Sequence, residues 1–288
     1  MTKIFIIFLL LLVGLKAENI YFDFRINKQI PKSEFLTKLE LSKYILLGEQ
    51  HDNSFHHDSK IEILDYFKNK NISIATEHLE FGKKILWQKD TKKSLESAKF
   101  DFKGWQWPVN KNLYDHMNQY QINVIGANLT DRDLNYSILN GKNFASLENL
   151  SDLLERFALD KNSQEILANE LVYSHCGFIK KEQTASLQKM QLAKDITMSQ
   201  TLMSLETDFV FLIAGNNHIR KDFAIPKILE KSGVHNYIAI GFFGKNEFDE
   251  NRIILSNNFD LAVITKDVEV VDYCKNLKAE NFRKFHSN

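Results

Sequence analysis

Acidic residues and histidines follow directly after several short apolar runs of the chain. The polar residues at these positions are Glu49, His51, Glu77, Asn128, His218 and Arg220. Carboxylates and imidazoles bind divalent metal ions, and they also act together as general acids and bases on a polarised substrate. The candidate metal ligands are Glu49, His51, Glu77 and His218. The guanidinium of Arg220 would supply a compensating positive charge.

The apolar runs that precede these residues are predicted strands. Each run is continuously apolar rather than alternating, which is typical of parallel strands that helices cover on both faces. The runs comprise residues 44–48, 72–76, 123–127, 209–214, 237–241 and 261–264. Amphipathic helical patterns lie between them, for example at 59–69 and 222–231. The sequence therefore predicts an α/β fold with a mainly parallel sheet covered by helices on both faces.

This architecture gives the polar residues a common location. Ligands of parallel α/β sheets bind beyond the carboxyl ends of the strands, where the loops converge. The six side chains are therefore expected to share one cleft, although any single one could instead cap a helix or satisfy loop backbone. His56 and His57 follow Glu49 closely. We expect them to be surface or helix-start residues, with a supporting or ligand role as the alternative.

Three helical patterns lie between the third and fourth apolar runs, at 147–159, 164–174 and 182–205. They predict a helical insertion, at about residues 145–206, that caps one end of the sheet. Ordinary crossover helices between strands are the alternative interpretation.

The first 17 residues have the pattern of a secretory signal. Lys3 precedes a short apolar stretch, and Ala17 is a small residue suited to the cleavage position. The stretch is shorter than the roughly 20 residues of a membrane span. Export is therefore expected, with an uncleaved anchor as the alternative, and residues 18–288 are expected to form a single domain. The 37 basic and 37 acidic residues balance, which argues against nucleic acid as a partner.

Cys176 and Cys274 are far apart in the sequence and belong to no CxxC motif. A disulfide between them and two free thiols are equally compatible with the sequence. A structural zinc site is not supported, because there is no second cysteine pair.

Several ordered motifs resemble those of the ChaN family, a group of bacterial haem-binding, iron-regulated envelope proteins within the wider Tiki/erythromycin-esterase superfamily. The similarity extends over roughly residues 40–230. The motifs are residues 46–53 (LLGEQHDN) with His56 and His57, Glu77, residues 105–107 (WQW) with Tyr114, residues 175–177 (HCG), Gln191 with Asp195, and residues 214–222 (AGNNHIRKD) leading to Ile225 and Pro226.

The resemblance implies haem binding in iron acquisition, through a tyrosine ligand. It also implies a homodimer with haems stacked face to face, histidines nearby, and envelope haem-uptake components as partners. A phenolate is a hard oxygen donor suited to ferric haem, and Tyr173 is the expected ligand. The other expected haem-binding residues are His175, His218, Trp105 and Trp107. A plain helix-surface role for Tyr173 and core packing for the two tryptophans are the alternatives.

One departure from the family concerns the membrane anchor. Some family members are lipoproteins, but Leu15 follows Gly14 here where a lipoprotein signal has its cysteine. The protein is therefore expected in the periplasm or cell envelope without a lipid anchor.

Two other functions remain open from the sequence. A metal-dependent hydrolase, an esterase or a peptidase, would use Glu49 or Glu77 to activate water, with His51 and His218 binding metal or relaying protons. In that mechanism Arg220 would stabilise the oxyanion. The third possibility is a binding module in which the strand-end residues are only scaffold.

Overall fold

The computed structural model describes residues 19–130, 150–268 and 273–276. The predicted signal sequence, residues 1–17, and the start of the predicted insertion, residues 145–149, lie outside the described residues. An eight-stranded sheet forms the centre of the molecule. Its strands are β1 (Ile20–Asp23), β2 (Lys28–Ile30), β3 (Tyr44–Leu47), β4 (Ile72–Glu80), β5 (Asn123–Asn128), β6 (Phe209–Ile213), β7 (Tyr237–Gly244) and β8 (Leu261–Thr265).

The strand order across the sheet is β2-β1-β8-β7-β3-β6-β4-β5. Strands β3 to β8 are parallel to one another. Strand β1 pairs antiparallel with both β2 and β8. The six predicted runs are the six parallel strands. The antiparallel hairpin β1–β2 extends one edge of the sheet, and the sequence patterns do not predict it.

Helices cover both faces of the sheet. They are α1 (Lys32–Leu39), α2 (Ser54–Phe67), α3 (Thr91–Ser97), α4 (Lys111–Gln119), α5 (Leu150–Arg156), α6 (Lys161–Ser174), α7 (Ala185–Met203), α8 (Ile225–Lys231) and α9 (Lys245–Asn258). Side chains alternate between the two faces along β3: Ile45 and Leu47 join the hydrophobic core of α1, α2 and α4, while Leu46 joins that of α7, α8 and α9. The predicted α/β fold is confirmed.

Of the three helices between β5 and β6, one packs as a crossover helix and two pack as a cap. Helix α7 packs on the sheet as a crossover helix does, with Met198 and Leu202 in the core beneath it. Helices α5 and α6 instead pack on α7 and on the segment after β6, for example through Leu167 against Phe223. We call α5, α6 and α7 the cap.

A disulfide fixes the end of α6 to a distant part of the chain. Cys176, just beyond α6, pairs with Cys274, and their Cα atoms are 5.5 Å apart. The sequence left this pairing open. Among the described residues, no helix has both the length and the apolar character needed to cross a membrane.

Candidate functional site

The register of three neighbouring strands brings the candidate residues together. Leu47 of β3 and Thr76 of β4 are both aligned with Ile213 of β6. The residues that follow these three positions therefore lie side by side at the carboxyl edge of the sheet, although β4 itself continues past its predicted end at 76, through Glu77 to Glu80. Gly48 permits a close approach here, because a Cβ at this position would lie 2.1 Å from Oδ1 of Asn216.

Glu49 organises a buried polar cluster on the face covered by α2 and α4. Its Oε1 lies 2.6 Å from Nε2 of His78, and its Oε2 lies 3.0 Å from Nζ of Lys60. His57 Nδ1 is 3.4 Å from the same Oε2, and Tyr114 closes the cluster with its hydroxyl 3.0 Å from His78 Nδ1. Helix α2 supplies both Lys60 and His57. The carboxylate is thus surrounded by groups that carry or can carry positive charge.

Glu77 organises a second cluster on the opposite face, towards α7. One of its oxygens accepts a hydrogen bond from the Gly215 backbone N–H at 2.8 Å, and the other lies 3.2 Å from Nε2 of His218. Nδ1 of His218 lies 2.5 Å from Oδ1 of Asp195 and 2.9 Å from Nε2 of Gln191, both on α7. The imidazole of His218 is therefore held between two buried carboxylates.

His51 joins the two clusters at the edge of the sheet. Its Nδ1 is 2.9 Å from Glu49, and its Nε2 is 3.7 Å from Glu77. The His51 side chain is 39% exposed, whereas those of Glu49, Glu77 and His218 are at most 9% exposed. We call the two clusters together with His51 the carboxylate–histidine network.

Opposing effects set the charges around Glu49. Burial by itself raises the pKa of Glu49, but nearby positive charges, chiefly that of Lys60, outweigh it and hold the pKa well below its usual range. Burial lowers the pKa of Lys60 despite the opposing charge of Glu49. Burial likewise lowers the pKa of His57 to about 4. His57 is therefore neutral at neutral pH, and the ion pair of Glu49 with Lys60 is the main charge pair of this cluster.

The cluster around Glu77 holds a charged imidazole. Burial disfavours the imidazolium of His218, but the carboxylates of Glu77 and Asp195 raise its pKa to about 10. Burial raises the pKa of Asp195 to about 6, with the charge of Glu77 acting in the same direction. Glu77 is ionised, since the adjacent imidazoles outweigh burial and hold its pKa below the usual range.

The structure brings together four of the six strand-end residues: Glu49, His51, Glu77 and His218. Arg220 pairs instead with Asp222 and Glu170, each at 2.7 Å. Asn128 ends β5, and its backbone carbonyl accepts a hydrogen bond from Phe81.

The other expected haem-binding residues lie in different surroundings. Trp105 borders the network, with its ring 5.0 Å from that of His51 and 4.6 Å from that of His78. Trp107 packs against Phe102 and Phe100, and Phe100 in turn contacts Tyr114 of the network. Tyr173 and His175 lie at the end of α6; Tyr173 is 83% exposed, and Nδ1 of His175 lies 2.7 Å from the Leu171 carbonyl oxygen.

Several contributors to the network were not among the predicted site residues, and Tyr114 and Gln191 entered only as parts of family motifs. Lys60 is a charged residue on the buried face of α2, one turn before Leu64, and this position in the hydrophobic pattern is the signal that marks it. His78 follows Glu77, and Asp195 entered only as part of a family motif. The expected helix-start location of His56 and His57 is confirmed, but a surface location is wrong, because both are buried under the loop that carries Glu49.

The ligand types for a divalent metal are present at one point of the network. Within the part of the chain that the structure describes, Glu49, His51 and His78 each offer one ligand atom within 4.8 Å of the others. Glu77 and His218, the other predicted metal ligands, pair instead with each other. Since Lys60 already neutralises Glu49, a cation here would compete with a built-in positive charge.

Comparisons with known proteins give the family. A solved structure described as cofacial heme binding to ChaN of Campylobacter jejuni has a TM-score of 0.67 and 21% sequence identity, covering 87% of this chain and 98% of that one. Two other solved structures are more distant. A succinoglycan biosynthesis protein has a TM-score of 0.46 and 12% identity, covering 81% of this chain and 90% of that one. An erythromycin esterase mutant in its open conformation has a TM-score of 0.44 and 14% identity, covering 87% of this chain and 99% of that one.

No curated protein matches the chain. A family model described as "Haem-binding uptake, Tiki superfamily, ChaN" matches residues 35–229. This range contains the whole carboxylate–histidine network and the parallel strands β3 to β6. The chain belongs to this ChaN family of haem-binding uptake proteins.

Proposed function

We propose that this protein is an exported haem-binding protein that takes part in haem and iron acquisition. The observation that carries the proposal is the family match over residues 35–229. The match favours haem binding over the metal-dependent hydrolase that the strand-end residues alone also allow. The apolar segment within residues 1–17 supports export to the periplasm or cell envelope.

Tyr173 is the residue that we propose as the iron ligand. Its side chain is 83% exposed, and its hydroxyl makes no hydrogen bond within the part of the chain that the structure describes. A phenolate is a suitable oxygen donor for ferric haem, and the exposure of Tyr173 makes its phenol accessible to a bound haem. Phe178, which is 40% exposed, adds aromatic surface five residues further on. When bound, haem would supply the iron and a flat apolar surface.

The buried candidates have less freedom to contact haem. Both ring nitrogens of His218 already face carboxylates, with Asp195 on one side and Glu77 on the other. We therefore propose that His218 supports the buried network, while Tyr173 and the neighbouring His175 form the haem site.

The test is a titration of hemin into the purified protein, followed by the Soret absorption band. We expect saturable binding in the wild type. Tyr173→Phe should weaken binding by at least about tenfold, since the loss of a ligand bond exceeds about 1.4 kcal/mol, and should change the high-spin ferric spectrum. Tyr66→Phe is the matched control, because Tyr66 is also exposed but lies on α2.

Two results would contradict this proposal in different ways. Absence of saturable binding by the wild type would remove haem as the ligand. Binding by Tyr173→Phe with wild-type affinity and spectrum would retain haem but move the iron ligand to another residue.

We further propose that haem is bound by a homodimer in which two haems stack, with envelope haem-uptake components as delivery partners. The Campylobacter jejuni structure is described as cofacial heme binding. An exposed iron ligand such as Tyr173 suits this arrangement, because a second haem then shields the open face of the first from water.

A further inference from the structure

Two tethers hold helix α6 on either side of Tyr173. Glu170, three residues before it, forms an ion pair with Arg220 at 2.7 Å. Cys176, three residues after it, forms the disulfide with Cys274. Both tethers lead from the end of α6 to segments outside the cap.

The Arg220 side chain that binds Glu170 is itself held in place by several contacts. The Arg220 side chain is 9% exposed, and it also binds both oxygens of Asp222, at 2.7 and 3.0 Å. Its guanidinium lies 4.5 Å from the centre of the Phe223 ring. Because Asp222 and Phe223 hold the guanidinium in place, its remaining N–H groups point in a defined direction, and they bind the carboxylate of Glu170.

The disulfide connects the same end of α6 to the segment that follows β8. Cys274 lies in a 3₁₀ turn at Tyr273–Asn276, and Cys176 has a positive φ of 55° at the point where the chain leaves α6. The covalent bond therefore fixes the exit from the helix directly after Tyr173 and His175.

We propose that the Glu170–Arg220 ion pair and the Cys176–Cys274 disulfide are positioning devices that hold Tyr173 in place for haem. The proposal rests on the proposed function. Tyr173 lies in the last turn of α6, which ends at Ser174, and helix ends fray when nothing holds them. Because affinity falls with the fraction of molecules whose ligand is correctly placed, release of the last turn should weaken haem binding without changing the ligand.

Glu170→Ala is the variant that tests the first tether. Alanine is the best helix former, so the substitution removes the ion pair without weakening the helix itself. If about one molecule in ten then keeps Tyr173 in place, hemin binding becomes about tenfold weaker. At saturating hemin the ferric spectrum should equal that of the wild type, because Tyr173 still binds the iron.

Glu165→Ala is the matched control. It makes the same substitution on the same helix, and it removes an ion pair with Lys181, which lies in the short connection between α6 and α7. We expect it to bind hemin with wild-type affinity. The second tether is tested by replacing Cys176 and Cys274 together with serine, which should also weaken binding by about tenfold while keeping the wild-type spectrum at saturation.

The outcomes separate this proposal from the function on which it rests. Failure of the wild type to bind hemin would contradict the proposed function itself. Wild-type affinity in both Glu170→Ala and the double serine variant, or equal weakening by Glu165→Ala, would overturn the positioning role. An altered spectrum at saturation would also overturn it, since the tethers would then change the ligand rather than its placement.

Discussion

Glu49 and Lys60 form an ion pair that is fully enclosed by protein, with both side chains at 0% exposure. Removing one partner of such a pair leaves an uncompensated charge in a low-dielectric interior. Lys60→Met should therefore lower the free energy of unfolding by about 3–5 kcal/mol, as measured by urea denaturation. Methionine keeps a similar side-chain length, so the change reports mainly the lost charge.

The control for this prediction is Lys245→Met, which breaks the exposed ion pair of Lys245 with Asp249 on α9. It should leave the urea midpoint close to that of the wild type, because exposed pairs contribute little to stability. Equal shifts in the two variants would mean that Lys60 does not balance Glu49.

The charge on His218 predicts how stability depends on pH. Its folded-state pKa of about 10 lies above the roughly 6.5 of an unperturbed histidine, so the folded state holds the proton more tightly. This stabilisation is complete below about pH 6.5 and is lost as the pH rises through 10. We expect the free energy of unfolding to fall between pH 7 and 10, measured by urea denaturation at a series of pH values.

Two variants isolate the contribution of His218 from groups that titrate in the same range. His218→Gln should reduce the slope of the unfolding free energy against pH. His235→Gln, at an exposed position before β7, should retain the wild-type slope. The same slope in all three proteins would show that His218 is not held as an imidazolium.

At the scale of elements, the close pairing of β5 with β4 requires a glycine at position 126. A Cβ at Gly126 would lie 2.1 Å from the Glu80 carbonyl oxygen, which belongs to the backbone and cannot move aside cheaply. Gly126→Ala should therefore separate the two strands locally and lower the unfolding free energy by about 1–3 kcal/mol or more. Urea denaturation measures this loss.

Gly104→Ala provides the comparison. The added Cβ would approach Oδ2 of Asp101, an exposed side chain that can shift more cheaply than backbone, although its Oδ1 accepts hydrogen bonds from the backbone of Lys103 and Gly104. This variant should shift the urea midpoint much less than Gly126→Ala does, because the crowded atom belongs to a surface side chain. A similar midpoint for Gly126→Ala would contradict the close packing of β5 against β4.

The parallel strands could be predicted because their apolar runs are continuous, whereas β1 and β2 could not. Lys28 and Gln29 of β2 are exposed, so this short edge strand has no apolar run. Helix α2 begins at Ser54, before the predicted start at 59, because the Asn53 side chain accepts hydrogen bonds from the backbone N–H groups of residues 55 and 56. A pattern of hydrophobic spacing does not report such a polar cap.

Only those site residues that come directly after predicted strands could be predicted from the sequence. Glu49, His51, Glu77 and His218 follow predicted strands, and their convergence follows from the topology of a parallel sheet. Glu77 and His78 are sequence neighbours that reach opposite faces, towards Asp195 and Tyr114 respectively. Partners on helices, such as Lys60, depend on which helix covers which strand, and this packing is not encoded in the spacing of one segment.

At the scale of the whole molecule, the proposed stacked-haem dimer predicts a ligand-dependent mass. Sedimentation velocity should show a monomer without hemin and a dimer at saturating hemin, because burying two haem faces removes apolar surface from water. Tyr173→Phe should remain monomeric at hemin concentrations that saturate the wild type. Iron-free protoporphyrin IX is the control, and equal dimerisation with it would show that the iron–tyrosine bond is not required.

His51 is the most exposed ionisable side chain of the carboxylate–histidine network and lies between its two buried clusters. Glu49 and Lys60 lie under one face of the sheet and Glu77, His218 and Asp195 under the other, with His51 between them at the water boundary. The imidazole of His51 therefore contacts both buried carboxylates from the side that faces water. A ligand or partner that covered His51 would therefore change the surroundings of Glu49 and Glu77 together.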